Sequence, residues 1–331
     1  MHIYRLETIG SLDGLVVREE APPVPSAGEV LIRVKASALN FRDLAIISGK
    51  SPFPVRPGVV PISDAAGEVE VVGPGVSTLN VGDRVVSRFL PTWYGGPRTP
   101  NLETYGSDRD GWLTEFKVVR AEALSLAPPS LTFEEAASLP CAAVTAWSAL
   151  AGVRAGDTVL TQGSGGVSLF ALQLAKLLGA RVIATTSSLP NGQRLKQVGA
   201  DAVVDYVENP QWAEAVRVLT AGRGVDRVVE VGGPGTLTQS LKAVTYGGEI
   251  ALVGALAESS AGLDFMSLFM SQATLRCISI GSRIDVEAMQ RAVDAHAMHP
   301  VIDSVFPFSE AKSAWAHYAA RNVFGKIVIR H

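Results

Sequence analysis

From about residue 125 onward the chain alternates short apolar runs with stretches of helical spacing. The apolar runs predict strands at 157–162, 180–186, 202–205, 226–231, 248–254 and 274–281. Helices are predicted at 132–151, 166–179, 191–199, 209–221, 234–245 and 285–298. Strict alternation of this kind implies a doubly wound parallel sheet with right-handed crossovers. Six strands match the dinucleotide-binding arrangement. Before residue 120 the pattern differs. Short strands at 30–36, 64–72 and 83–88 are punctuated by Pro and Gly, as at Pro22-Pro23, Pro57-Gly58 and Gly73-Pro74-Gly75. That reads as a β-rich, barrel-like domain. Residues 90–112 show no period and predict a long loop, a length that often marks function. The tail carries a strand near 301–306, a helix at 309–321 and a strand at 325–330 that returns to the first domain. The expected fold is therefore α/β. A β-rich domain covers 1–122, completed by 299–331, and a dinucleotide-binding domain covers 123–298.

The stretch 157–187 carries the sharpest signal. An apolar strand runs into Gly163-Ser164-Gly165-Gly166-Val167, and a helix follows with Leu169, Leu172, Ala175, Leu177 and Leu178 on its apolar positions. Gly163 and Gly165 permit a tight turn with positive φ. Gly165 and Gly166 let backbone approach a pyrophosphate, and the helix N-terminus offers free N–H groups and a positive dipole end. Gly179 fits a helix stop. The third glycine of the G-x-G-x-x-G pattern is replaced by Ser168. The strand before and the helix after supply the context the motif requires.

An Asp or Glu after the second strand would bond the ribose 2′-hydroxyl and select NAD. This strand ends Ala184-Thr185-Thr186-Ser187-Ser188 without an acid, and Arg194 follows. A hydroxyl-rich end with a nearby cation accommodates a 2′-phosphate, so the expected cofactor is NADP. The competing reading is that Ser187 and Ser188 only cap the next helix.

Composition narrows the class. The 331 residues are 47% hydrophobic and 18% charged, with formal net charge −3. That leaves no basic footprint for nucleic acid. No apolar run reaches 18 residues, so no membrane span is expected, and the N-terminus lacks a signal-peptide pattern. Only Cys141 and Cys277 occur. A cytoplasmic, disulfide-free protein is the expectation. The five histidines are His2, His296, His299, His317 and His331, so a site built from the long middle of the chain does without imidazole.

Several segments together resemble the medium-chain dehydrogenase/reductase superfamily, specifically its zinc-independent, quinone-oxidoreductase-like branch. They are Ala38-Leu39-Asn40-Phe41-Arg42-Asp43, Asp64-Ala65-Ala66-Gly67-Glu68-Val69, Val81-Gly82-Asp83-Arg84-Val85, Pro140-Cys141 through Thr145-Ala146-Trp147, the Gly-rich turn, Gly199-Ala200-Asp201, and Phe324-Gly325-Lys326-Ile327-Val328. The resemblance implies a GroES-like catalytic domain joined to a Rossmann cofactor domain, with hydride transfer from NADPH. It also implies a homodimer paired through the edge strand 274–281.

Zinc-dependent members hold their metal with Cys, His and Cys. The resemblance puts Asn40, Ser63 and Cys141 at those positions, so one ligand of three survives, and residues 88–115 contain no Cys for a structural zinc lobe. A catalytic Zn²⁺ needs three good protein donors, so no zinc is expected. Cys141 then reads as a small residue lining the nicotinamide pocket. Without a Lewis acid, a quinone or enone makes the softer electronic demand, because the negative charge delocalises as hydride arrives.

The candidate catalytic residues are Asn40, Asp43 and Thr145. Substrate contacts are assigned to Arg42, Asp64, Trp93 and Tyr94. Cofactor contacts are assigned to Thr145, Gly163, Ser164, Gly165, Gly166, Val167, Ser187, Ser188, Arg194, Gly232, Gly254, Ala255, Leu256, Asn322 and Lys326. Phe41 stands where many relatives have Tyr, so a phenol donor is missing there. Plainer roles stand beside these. Asn40 can bond a turn, Asp43 can cap a helix, and Arg42 can pair with Asp64. Trp93 and Tyr94 can pack their loop, Gly232 can serve only its turn, and Lys326 can be a solvated strand charge. Three functions remain open: a quinone or enone reductase, an alcohol dehydrogenase or carbonyl reductase, and a non-enzymatic, crystallin-like NADPH-binding protein.

Overall fold

The computed structural model describes residues 1–100, 103–256, 262 and 265–331. Residues 101 and 102 of the predicted loop lie outside the described residues. In chain order the elements are β1 (His2–Leu6), β2 (Leu15–Glu19), β3 (Glu29–Ala38), α1 (Phe41–Ile47), β4 (Asp64–Val72), β5 (Arg84–Ser87), β6 (Phe116–Arg120), β7 (Leu124–Leu126) and α2 (Phe133–Ala137). Next come α3 (Val144–Ala149), β8 (Thr158–Gln162), α4 (Gly166–Leu177), β9 (Arg181–Thr186), α5 (Leu189–Val198), β10 (Ala202–Asp205), α6 (Trp212–Leu219), β11 (Val225–Glu230), α7 (Leu237–Ala243) and β12 (Val244–Leu252). The chain closes with α8 (Phe265–Ser271), β13 (Thr274–Cys277), α9 (Arg283–Ala295), β14 (Ile302–Pro307), α10 (Ala311–Ala319) and β15 (Lys326–Arg330).

Contacts divide the chain into two compact units, Met1–Val144 with Ser282–His331, and Thr145–Gly281. These limits differ from the 122/123 and 298/299 boundaries read from the pattern. Packing explains the shift. Helix α2 lies against β3, β4 and β5. The first turn of α9 donates from Arg283 N–H to Trp93 O and from Ile284 N–H to Tyr94 O. Both helices therefore go with the β-rich unit.

That unit holds a seven-stranded sheet in the order β14-β15-β3-β4-β5-β7, with β6 also pairing β3. The returning strand β15 pairs antiparallel with β3, Val328 opposite Ala38. Its core includes Leu6, Leu39, Ile46, Ile62, Leu113 and Trp315. The second unit is an all-parallel sheet in the order β10-β9-β8-β11-β12-β13. Its central strands bury Leu160, Ile183, Val228 and Ile250 completely, as expected for strands covered on both faces. The order reverses between β8 and β11, where doubly wound sheets open a ligand crevice.

Two expected elements come out differently. The helix over 132–151 is broken into α2, a π-helical stretch Leu139–Ala143 and α3. Pro140 lacks the N–H that a continuous α-helix would use there. Strand β13 stops at Cys277 rather than 281, with one further ladder bond from Ile278 N–H to Leu252 O. Helix α8 and the strands β1, β2, β6 and β7 were not legible in the pattern. Among the described residues no helix is long and apolar enough to cross a membrane.

Candidate active site

The β-rich unit gathers a buried polar cluster where β3 runs into α1. Asn40 is the N-cap of α1, and its backbone N–H donates to Asp43 Oδ2 at 2.8 Å. Asp43 thus does cap the helix, from its third position, as the capping-box geometry allows. Lys326, on β15, is 3% exposed, so it is no solvated strand charge. Its ammonium donates to Asn40 Oδ1 at 2.6 Å and to Leu39 O at 2.6 Å. That contact points the Asn40 amide nitrogen toward Ser63 Oγ, at a long 3.5 Å. Ser63 donates to Asp64 Oδ1 at 2.7 Å, and the Cys141 backbone N–H donates to Asp64 Oδ2 at 2.9 Å. Asn40, Ser63, Asp64, Lys326 and Cys141 are thereby brought together.

Burial sets the electrostatics. Burial drives the Asp64 carboxyl above its ordinary value, opposed by Lys326. Asp43 is 1% exposed, and its Oδ1 has no hydrogen-bond partner among the described residues. Burial raises it from 3.8 to about 6, with Arg42 the largest opposing influence. The Cys141 thiol is pushed up by burial and then by Asp64, so it stays protonated.

The Asp43 shift has a sign that can be measured. From about pH 4 to pH 6 the folded protein keeps a proton that the unfolded chain has released. Stability therefore falls as pH rises through that window, by about 3 kcal/mol in total. Other carboxyls, such as Glu20 and Glu70, are lowered by Arg5 and Arg33 and act oppositely. The informative quantity is the difference between wild type and Asp43→Asn, which keeps an acceptor for Asn40 N–H. Urea denaturation at about pH 4 and pH 7 should show that difference drop by about 3 kcal/mol as pH rises. A pH-independent difference would refute the buried, unpartnered carboxyl.

Asp64 enters β4 through a strained residue that sequence reasoning missed. Ile62 has φ 73°, a left-handed value rare for a β-branched side chain. Strain of this kind costs about 1–3 kcal/mol and clusters at functional sites. It is held by Trp112 N–H on Ile62 O at 2.9 Å. Gly111 lies so close that an added Cβ would stand 2.1 Å from that oxygen.

Other expected substrate residues lie elsewhere in this unit. Arg42 donates to Tyr105 O at 2.7 Å and Ser107 Oγ at 3.0 Å, with its guanidinium over the Phe89 ring. It ties down the loop rather than pairing with Asp64. Trp93 Nε1 donates to Gly96 O at 3.1 Å, so the indole packs its own loop, while the Tyr94 side chain is half exposed. Asn322 is exposed, ahead of β15.

In the second unit, β8 delivers Gly163 at φ 72°, and its N–H donates to Thr185 O at 2.9 Å. Gly165, expected to share that conformation, is instead extended at φ −75° and N-caps α4. A Cβ at either glycine would meet nothing within 4 Å. The turn, with Ser164, Gly166 and Val167, therefore presents backbone without side-chain cover at its glycines and leads into a helix N-terminus. These residues fit a dinucleotide pyrophosphate. Ser168, in place of the third glycine, is buried and donates to Gln162 O at 2.6 Å, fastening the helix to the strand. Thr145 is buried near the start of α3.

At the end of β9, Ser188 caps α5 by accepting from Asn191 N–H at 3.4 Å, while Ser187 and Arg194 are exposed. The capping role and an open hydroxyl end coexist. A groove of about 580 Å³ lies beside α5 and β10, with Thr186, Gln193, Lys196 and Asp205 among its lining. None of the cofactor residues expected from the sequence lines it. At the ends of β11 and β12 the glycines serve close packing. A Cβ on Gly254 would lie 2.6 Å from Val231 O, and one on Gly232 would strike the Thr236 side chain. Ala255 and Leu256 follow directly, with Leu256 N–H reaching Val231 O at 3.4 Å. Gln162, Glu230, Thr236 and Ser240 form a buried network there that sequence reasoning missed. The one visible signal was an acid directly after the apolar pair Val228-Val229, at the strand's carboxyl end.

Zinc finds a poor donor set in the first cluster. The Asn40 carboxamide oxygen is taken by an ammonium, Ser63 is a hydroxyl and Cys141 is a protonated thiol. Zn²⁺ prefers thiolate, imidazole or carboxylate. Among the described residues no group of three His, Cys, Asp or Glu side chains is placed to hold a metal ion.

Comparison with known proteins agrees with this architecture. Residues 26–129 match the alcohol dehydrogenase GroES-like domain, and residues 166–295 match the zinc-binding dehydrogenase domain. A zinc-type alcohol dehydrogenase-like protein of Schizosaccharomyces pombe is 39% identical over 98% of this chain and 97% of its own. A chloroplast envelope quinone oxidoreductase homolog of Arabidopsis thaliana is 30% identical over 97% and 95%. Among solved structures, an NAD-dependent alcohol dehydrogenase superposes with TM-score 0.93 at 34% identity, covering all of both chains. A mycobacterial protein, Rv1454c, solved with NADPH, superposes with TM-score 0.83 at 31% identity, again over all of both.

Proposed function

The chain belongs to the medium-chain dehydrogenase/reductase superfamily and is an NAD(P)-dependent oxidoreductase; on that premise we propose that it reduces a quinone or an α,β-unsaturated carbonyl with NADPH and without zinc. The observation that carries this reading is the contact of Lys326 with Asn40, which puts an ammonium in the buried cluster in place of a metal donor set. When bound, the nicotinamide supplies hydride. The chain's own residues do the rest. The bare turn 163–167 binds pyrophosphate through backbone N–H groups. The hydroxyl end of β9, with Arg194, suits a 2′-phosphate. Asn40 is held by Lys326 with its amide nitrogen oriented as a donor. Weak donors of this kind suffice where charge delocalises over a conjugated acceptor.

The named relatives favour a second reading, oxidation of an alcohol or reduction of a simple carbonyl. One experiment separates them: oxidation of NADPH and NADH followed with a para-quinone, an enone and an aldehyde, alongside metal analysis. Turnover of NADPH with the quinone or enone, at no stoichiometric zinc, is expected. Stoichiometric zinc with alcohol oxidation would sink the proposal. Cofactor binding without any turnover would favour the non-enzymatic, crystallin-like role.

We also propose a homodimer through the sheet edge at β13. Beside that edge α8 exposes Phe265, Met266, Phe269 and Met270, each more than half accessible. An apolar face next to an open strand edge invites pairing. Sedimentation should give twice the chain mass, falling to one chain in Phe269→Glu. A wild type that sediments as a monomer refutes it.

A further inference from the structure

We propose that Gln162 and Glu230 are positioning residues for the cofactor, a buried brace that holds the 231–236 turn in register with the phosphate-binding turn. The proposal rests on the dinucleotide reading above.

The two residues close neighbouring strands, β8 and β11, on either side of the point where the sheet order reverses. Glu230 is fully buried, yet each carboxylate oxygen is saturated by donors. Oε1 accepts from Gly233 N–H at 2.8 Å and from Thr236 Oγ1 at 2.5 Å. Oε2 accepts from Gln162 Nε2 at 2.8 Å and from the Ser240 hydroxyl. Gln162 is equally occupied. Its Nε2 also donates to Ser240 Oγ at 3.0 Å, and its Oε1 accepts from Val231 N–H at 3.1 Å and Gly232 N–H at 3.2 Å.

The backbone extends the connection both ways. Gln162 O takes the Ser168 hydroxyl, which anchors the first turn of α4. Glu230 O takes the N–H groups of Val253 at 2.8 Å and Gly254 at 3.2 Å. Three strand-end segments, 163–168, 231–236 and 253–254, thus share one network at the carboxyl edge, where open α/β sheets bind ligands. A buried acid costs several kcal/mol unless paired or fully bonded. A hydrophobic pair would fill the same volume without that cost. What the polar pair adds is direction: Gln162 Oε1 draws the Val231 and Gly232 N–H groups inward, and the carboxylate draws in Gly233 N–H and the Thr236 hydroxyl, which leaves the outer face of the turn free. Fixing a binding loop before the ligand arrives raises affinity by lowering the ordering cost.

All four groups facing the Glu230 carboxylate are donors, so Glu230→Gln turns an amide NH₂ against a donor while keeping the shape. NADPH binding would be measured by fluorescence titration, and steady-state kinetics with the best acceptor would follow. In Glu230→Gln the NADPH Kd and KM should rise about tenfold or more, with kcat at saturating NADPH and the acceptor KM within about twofold. Thr236→Val, which removes one donor at the turn, should show the same split at about threefold. Thr236→Val decides the matter should Glu230→Gln not fold. A folded Glu230→Gln with unchanged NADPH affinity, or a fall in kcat with no change in cofactor KM, overturns the brace while leaving the dinucleotide reading intact. A wild type that binds neither NADPH nor NADH overturns both.

Discussion

Replacing Lys326 by methionine is expected to destabilise the protein by about 3–5 kcal/mol. Methionine has nearly the volume of the lysine stem, so the cavity contribution is small and the charge decides. The ammonium is the donor for Asn40 Oδ1 and Leu39 O and lies within electrostatic reach of Asp64 and Asp43. Without it, two buried acceptors lose their partner. The buried Asp64 carboxylate also loses its counter-charge, and breaking one side of a buried ionic contact is far costlier than replacing both. Adding Asp64→Asn to Lys326→Met should therefore recover part of the loss, a coupling that a double-mutant cycle measures. Urea denaturation at pH 7 is the test. A loss below about 1 kcal/mol would mean that the ammonium compensates nothing there.

The second large effect concerns binding rather than stability. Gly165→Val should raise the NADPH Kd about a hundredfold, or about 2.7 kcal/mol. The apo-protein should lose less than about 1 kcal/mol, the scale of a changed N-cap. Gly165 has an ordinary extended φ, and an added Cβ meets no protein atom within 4 Å. Its side chain would fill only the space that a pyrophosphate needs. Gly233→Ala should do the reverse. Gly233 has φ 79°, and a Cβ there would lie 2.7 Å from Ala255 Cα. Apo stability should drop by about 2 kcal/mol or more. Thermal melts and NADPH titrations of both variants make the comparison. Equal loss of stability at the two positions would show that the open face at Gly165 is not there.

Much of the second unit was legible along the chain, because its central strands β8 and β9 are buried on both faces and carry short apolar runs such as Val159-Leu160 and Val182-Ile183-Ala184. Five of the six sheet strands begin within one residue of their expected starts. β12 is the exception, starting at Val244, ahead of a register shift against β11. The strands of the first unit were harder. β6 has only one fully buried position, and β2 only one, so neither shows the alternation that marks a half-buried strand. Helix α8 buries no residue at all and leaves no periodic signature. The site residues divide the same way. Glycines of the phosphate turn were visible by spacing and neighbours. The partners of Asp43, Arg42 and Lys326 were not, since a charge has no address until the chain folds.

The sequence alone determined the parallel sheet, the Gly-rich turn after β8, the absence of an acid after β9 and the presence of Asn and Ser at positions 40 and 63. Each is written in neighbouring residues, where period, turn chemistry and side-chain type act over a few positions. Only the tertiary structure decided that Lys326 lies buried against Asn40, 286 residues away in the chain. It alone decided that Asp43 keeps an unpartnered oxygen and that Gln162 locks onto Glu230, 68 residues on. These are contacts between strand ends that the sheet order brings together, and burial then sets the charge each of those groups can carry.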